Sequence, residues 1–190
     1  VLHNELWQTP LPFTSLSHEQ FVKLQQASAK QTVEGLVMGA LIRNNVKLER
    51  ADALLAYSRT MMIEQLNRKV NAVAKELATI LANDGIDYRI FKGQTLALLY
   101  PHPETRMPGD IDFYCVPNHF ARAQQLLQKA WGITLGGEES MQHRDFSYKD
   151  VPLEMHFCMM KFNSNAIQTY WERLLAEASI EQVSIEGVAV

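Results

Sequence analysis

Residues 91–117 read FKGQTLALLYPHPETRMPGDIDFYCVP, and the rest of the chain is best read outward from them. Phe91 closes an apolar, β-prone run that starts at Ile86, and Lys92-Gly93 breaks it. Gln94 to Tyr100 then has the character of a short helix, which Pro101 and Pro103 must end. Asp110 to Val116, DIDFYCV, is a second predicted strand. Period-two alternation sets the Asp110 and Asp112 side chains on one face, about 6–7 Å apart along the backbone, with Ile111 on the other. Two carboxylates brought within about 4 Å repel by roughly 4 kcal/mol at an effective dielectric near 20, a penalty that a bound divalent cation removes. Hard oxygen donors of this kind suit Mg²⁺ or Mn²⁺. Spacing alone fits a solvated edge strand or a turn pair as well. With seven Asp in the chain, such a pair arises by chance about a quarter of the time.

Downstream, Pro117 opens a predicted helix with apolar positions at Phe120, Ala123, Leu126, Leu127 and Ala130. Gly132, Gly136 and Gly137 mark loops. Arg144–Tyr148 and Val151–Cys158 are expected as an antiparallel pair turning at Lys149-Asp150. In VPLEMHF, residues 151–157, Glu154 and His156 share one face while Leu153 and Met155 take the other. A neighbouring strand would bring Glu154 beside the two aspartates, although an exposed strand residue is the plainer alternative. A helix from Asn165 to Ala178 and a strand near Val183 follow.

Upstream, the strand–Lys92-Gly93–helix order places backbone N–H groups where they attract phosphate, and glycine permits its close approach. Lys92 and Arg106 are candidate cations beside a triphosphate, and Thr95 offers a hydroxyl in the first helical turn; a surface role is the alternative for Lys92. Ser17-His18-Glu19-Gln20 has capping-box spacing ahead of a helical run. A longer helix is predicted over 50–81, where Leu54, Tyr57, Met61, Leu66, Val70, Val73, Leu77 and Ile80 recur at threes and fours. Asn83-Asp84-Gly85 stops it. Met38, Met61 and Met62 fit a packed core, and Trp7, Trp131 and Trp171 are expected as core anchors. The resulting class is α+β: a small mixed sheet flanked by helices (85–190), preceded by a helical amino-terminal region (1–84).

The formal charge of −3 over 190 residues disfavours wide polyanion binding, so a small-molecule or protein partner is expected ahead of long nucleic acid. Cys115 and Cys158 are expected to be reduced, buried thiols of a cytoplasmic protein. No apolar run reaches the roughly 18 residues of a membrane span, and no secretory leader is recognisable at the start. The chain begins without Met and stops inside strand-like EQVSIEGVAV, as a domain excerpt continuing beyond Val190 would. No HxxxH or HExxH spacing marks a zinc site. His102 and His143 are expected as surface or loop residues, and His156 either orients Glu154, contacts nucleotide or serves a structural hydrogen bond.

Phe91–Pro117 together with Val151–Phe157 resembles the bacterial nucleotidyltransferase-like proteins of the DNA polymerase beta superfamily. It looks most like a family with the pattern KG…R…DhDh…hELH, where h is apolar, over Ile86 to Phe157. The resemblance implies a nucleotidyltransferase-like fold, with Asp110 and Asp112 as metal ligands and Glu154 completing the carboxylates. It also implies that Gly93 starts the phosphate-facing helix. Superfamily members carry Gly-Ser at that helix start; here Gln94 follows Gly93, and Thr95 is the nearest hydroxyl. The expected activity is metal-dependent transfer of a nucleoside monophosphate from a nucleoside triphosphate to a hydroxyl-bearing small-molecule or protein acceptor. Lys92, Gly93 and Arg106 would hold phosphates. Rival readings are a catalytically degenerate nucleotide-binding or regulatory module, a metal-dependent phosphohydrolase, and an interaction scaffold.

Overall fold

The computed structural model describes residues 1–135, 142–179, 182–185 and 187–189; the loop expected at Gly136-Gly137 lies outside them. The chain forms two units, Val1–Val70 with Leu96–Gly109, and Asn71–Thr95 with Asp110–Val190.

In the first unit, α1 (Leu2–Trp7), α2 (His18–Lys30), α3 (Glu34–Arg43) and the first part of α4 (Arg50–Asn83) are joined by short connections. The Ser17 capping box forms as the sequence predicts: its side chain accepts from the Gln20 N–H, and the Gln20 side chain accepts from the Ser17 N–H. Phe21, Val37, Met38, Leu41, Val46 and Ala56 make the buried core. Glu34 is buried beneath it with two partners, the Arg59 guanidinium (3.1 Å) and the Gln25 amide (2.7 Å). The 3₁₀ turn Pro103–Thr105 is fastened by Asn67, whose amide donates to the Glu104 and Arg106 carbonyls at 2.9 and 2.7 Å. Gly35 is required there: a Cβ at that position would stand 2.3 Å from the Thr105 carbonyl oxygen.

Several apolar expectations in this region are corrected. Leu54 and Tyr57 are exposed, and the buried face of α4 over that stretch is Ala56, Thr60, Ile63 and Asn67. Ala56, Thr60 and Asn67 turn inward beside Ile63, while the larger Leu54 and Tyr57 face outward. Met38 is fully buried as expected, whereas Met62 is exposed; Trp7 is 65% exposed, its ring against that of His3 rather than in the core.

In the second unit, β1 (Tyr88–Phe91), β2 (Ile111–Cys115), β3 (His143–Tyr148) and β4 (Val151–His156) form a mixed sheet in the order β1-β2-β4-β3. β1 pairs antiparallel with β2, β2 parallel with β4, and β4 antiparallel with β3. The β3–β4 hairpin turns at Lys149-Asp150, both at positive φ (51° and 55°), as a two-residue turn matched to strand twist demands. The remaining elements are α5 (Gly93–Ala97), α6 (Pro117–Trp131), α7 (Asn165–Glu177) and a two-stranded ribbon of β5 (Ser184–Ile185) and β6 (Val188–Ala189). Ile111, Phe113 and Cys115 of β2 and Val151, Leu153 and Met155 of β4 are all buried, one strand face each.

Glu76 of α4 ties this unit together. It accepts hydrogen bonds from Trp131 Nε1 (3.1 Å), Tyr148 Oη (2.9 Å) and Lys149 Nζ (2.9 Å). Trp131 stacks on Tyr148 with ring centroids 4.2 Å apart. No helix among the described residues is long and apolar enough to cross a membrane.

Candidate active site

The parallel register of β2 and β4 sets Asp112 opposite Glu154 and Tyr114 opposite His156. Because the apolar alternates are turned into the core, these four polar side chains share the other face of the sheet. Asp110 immediately precedes β2 and extends the same alternation. One ligand oxygen from each of Asp110, Asp112 and Glu154 lies within 4.8 Å of the others. The spacing expected from DIDFYCV and the pairing expected of Glu154 therefore meet in one cluster.

Asp112 is buried, and its Oδ1 accepts from Lys92 Nζ at 2.9 Å. His156 Nε2 stands 3.1 Å from the same Oδ1 and 3.2 Å from Glu154 Oε2, so the imidazole bridges the two carboxylates. The Phe91 and His156 rings meet in an edge-type contact with centroids 5.1 Å apart, and Lys92 Nζ sits 5.1 Å from the Phe91 centroid. Burial raises the Glu154 carboxyl above its ordinary range, and the neighbouring Asp112 and Asp110 charges push the same way against the pull of His143 and His156. Three carboxylates held this close favour a bound divalent cation, and an all-oxygen set fits Mg²⁺ or Mn²⁺.

Beyond β1 the backbone turns left-handed at Lys92 (φ 59°) and Gly93 (φ 32°). A Cβ at Gly93 would stand 3.2 Å from the Asp110 carbonyl oxygen, so glycine lets the turn lie against the start of β2. The Thr95 hydroxyl donates to the Lys92 carbonyl at 2.7 Å and closes the first turn of α5. Gln94 is buried, and its amide donates to Asn71 of α4. Arg106 belongs to the first unit, where its backbone carbonyl accepts from Asn67 and its guanidinium reaches the Met107 carbonyl at 3.4 Å.

Sequence reading missed His143. Expected as a surface or loop residue, it is the first residue of β3 and the register partner of His156, with the two rings 4.8 Å apart. The antiparallel pairing of the hairpin was the signal: counting back from Lys149-Asp150 sets residue 143 opposite residue 156.

An acidic pair at the head of one strand, a third acid on its parallel neighbour and a Lys-Gly turn into a short flanking helix define a nucleotidyltransferase-like α+β domain. The chain belongs to a family described as uncharacterised nucleotidyltransferases, whose family model matches residues 17–190. No curated protein and no solved structure matches the chain.

Proposed function

We propose that the protein is a divalent-metal-dependent nucleotidyltransferase of the DNA polymerase beta superfamily. It moves a nucleoside monophosphate from a triphosphate to a hydroxyl-bearing small-molecule or protein acceptor. The observation that carries this reading is the convergence of Asp110, Asp112 and Glu154 from two parallel-paired strands, one oxygen each within 4.8 Å. These carboxylates hold Mg²⁺ or Mn²⁺, which when bound offsets negative charge on the transferred phosphoryl group and the leaving pyrophosphate. Glu154 either completes the carboxylate set around a second ion or draws the proton from the acceptor hydroxyl. The acceptor oxygen bonds to the α-phosphorus as the bond to pyrophosphate breaks. Lys92, more than half exposed, supplies positive charge to the phosphates, and Gly93 keeps the turn beside it clear of a Cβ. His156 fixes the Asp112 and Glu154 carboxylates relative to one another.

A cavity of about 350 Å³ adds support for a small acceptor or nucleoside. It is lined by Tyr114, Phe157, Lys161, Gln168, Trp171 and Glu172 among others, and Tyr114 follows Asp112 by one period of β2. Its size and its mix of aromatic and polar side chains suit a small organic ligand. Calorimetric titration with ATP, CTP, GTP and UTP in Mg²⁺ tests the proposal. At least one binds, with affinity lost on removing Mg²⁺; a folded chain that binds none contradicts it.

Gln94 favours a second reading, a nucleotide binder without turnover. It is buried and bonded to Asn71 at the position where the superfamily carries a hydroxyl. Transfer of α-labelled nucleotide onto cell extract separates the two, because a pure binder labels nothing.

A further inference from the structure

His143, Glu154 and His156 each offer one ligand atom, and the three lie within 4.8 Å of one another. Glu154 Oε2 is the shared vertex, 3.2 Å from His156 Nε2 and 4.0 Å from His143 Nδ1. Neighbouring donors around a four-coordinate ion with bonds of about 2.0–2.1 Å stand about 3.3 Å apart, so small side-chain adjustments close this set on one ion. On the far side of His143, Asp145 Oδ1 lies 3.2 Å from Nε2. A carboxylate there holds the proton on Nε2 and turns the Nδ1 lone pair toward Glu154, the arrangement that orients ligating histidines. The His156 side chain is only 5% exposed, and the nitrogen it turns to Glu154 is Nε2, which in the ion-bound state ligates the metal in place of its hydrogen bonds to Asp112 and Glu154.

We propose that these residues form a second metal site, for a borderline transition-metal ion of the Zn²⁺ type, joined to the carboxylate cluster through Glu154. Two imidazoles and one carboxylate differ in kind from the all-oxygen set of Asp110, Asp112 and Glu154. Imidazole selects Zn²⁺, Co²⁺ or Ni²⁺ over Mg²⁺, which takes oxygen donors and keeps its waters. The site shares Glu154 with the nucleotidyl-transfer reading and does not depend on it.

Zn²⁺ titration of the full chain, followed by X-ray absorption at the zinc edge, tests the proposal. One equivalent binds, and the spectrum carries the scattering of two imidazoles. His143→Gln weakens Zn²⁺ by about tenfold or more while Mg²⁺–nucleotide binding persists. Asp110→Asn does the reverse. Absence of Zn²⁺ binding, an all-oxygen spectrum, or Zn²⁺ affinity unchanged in a folded His143→Gln chain overturns it. The spectrum of the unmutated chain decides the matter should the variant fail to fold. Zn²⁺ bound through imidazoles in a chain that binds no Mg²⁺–nucleotide leaves this site standing and sinks the transfer reading alone.

Discussion

Asp112 on β2 and Glu154 on β4 are register partners across a parallel strand pair, and His156 Nε2 stands within 3.2 Å of both carboxylates. Like charges are thereby held together where the polar faces of β2 and β4 coincide. Removing that charge is therefore expected to lower catalysis far more than it lowers fold stability.

Asp112→Asn preserves shape and removes one of the charges that raise Glu154. Nucleotidyl transfer falls by about 10²-fold or more, the scale of losing one preorganised electrostatic group. The melting temperature does not fall by more than a few degrees, and the Glu154 carboxyl titrates lower by carbon NMR. Unchanged turnover in the folded variant contradicts the assignment.

Glu76 is the fastening point of the second unit. Glu76→Ala strands the Trp131 N–H and Tyr148 hydroxyl, a loss of about 1–3 kcal/mol, read as a melting temperature lower by roughly 2–4 °C per kcal/mol. Burial tends to raise this carboxyl, but hydrogen bonds from Lys149, Tyr148 and Trp131 outweigh it and hold the pKa below 4.5. Its contribution is therefore complete above that value and is lost as pH falls through the lower folded pKa. Stability of the alanine variant should show a shallower fall on acidification than that of the unmutated chain.

Gly35→Ala gains at most about 1 kcal/mol of helix propensity. Against that, the new Cβ meets the Thr105 carbonyl at 2.3 Å, a backbone atom with little freedom to withdraw. Overpacking of this kind costs about 1–3 kcal/mol, so the sign is destabilising, and chemical denaturation measures it. A variant as stable as the parent contradicts this packing.

Much of this architecture was legible in sequence because it rests on local patterns. The Ser17 box, the helix stop at Gly85, the alternation of DIDFYCV and the turn at Lys149-Asp150 each depend on a few adjacent residues. Asp110, Asp112 and Glu154 followed from period two plus one assumption about strand neighbours. Glu76 was invisible, because its partners are 55, 72 and 73 residues away and a glutamate on a helix face looks solvated. The inward face of α4 was misread because Ala56, Thr60 and Asn67 carry little apolar signal, while the conspicuous Leu54 and Tyr57 face outward.

The cysteines separate by burial. Cys115 is fully buried and its thiol is pushed up to about 12, so the reactive thiolate is scarce at neutral pH. Cys158, expected to be buried, is only half-buried and donates to the Met160 carbonyl at 3.2 Å. Alkylation of the native protein followed by peptide mass analysis should mark Cys158 first and Cys115 only in denaturant. Equal labelling of the two in the native state contradicts the buried position of Cys115.

The most direct test is a crystal soaked with Mn²⁺ and a nonhydrolysable nucleoside triphosphate, with the ion located by anomalous scattering. Asp110, Asp112 and Glu154 are expected to share an ion that also touches the triphosphate oxygens, with Lys92 beside the phosphates. A triphosphate and its ion bound clear of these three acids would contradict the account.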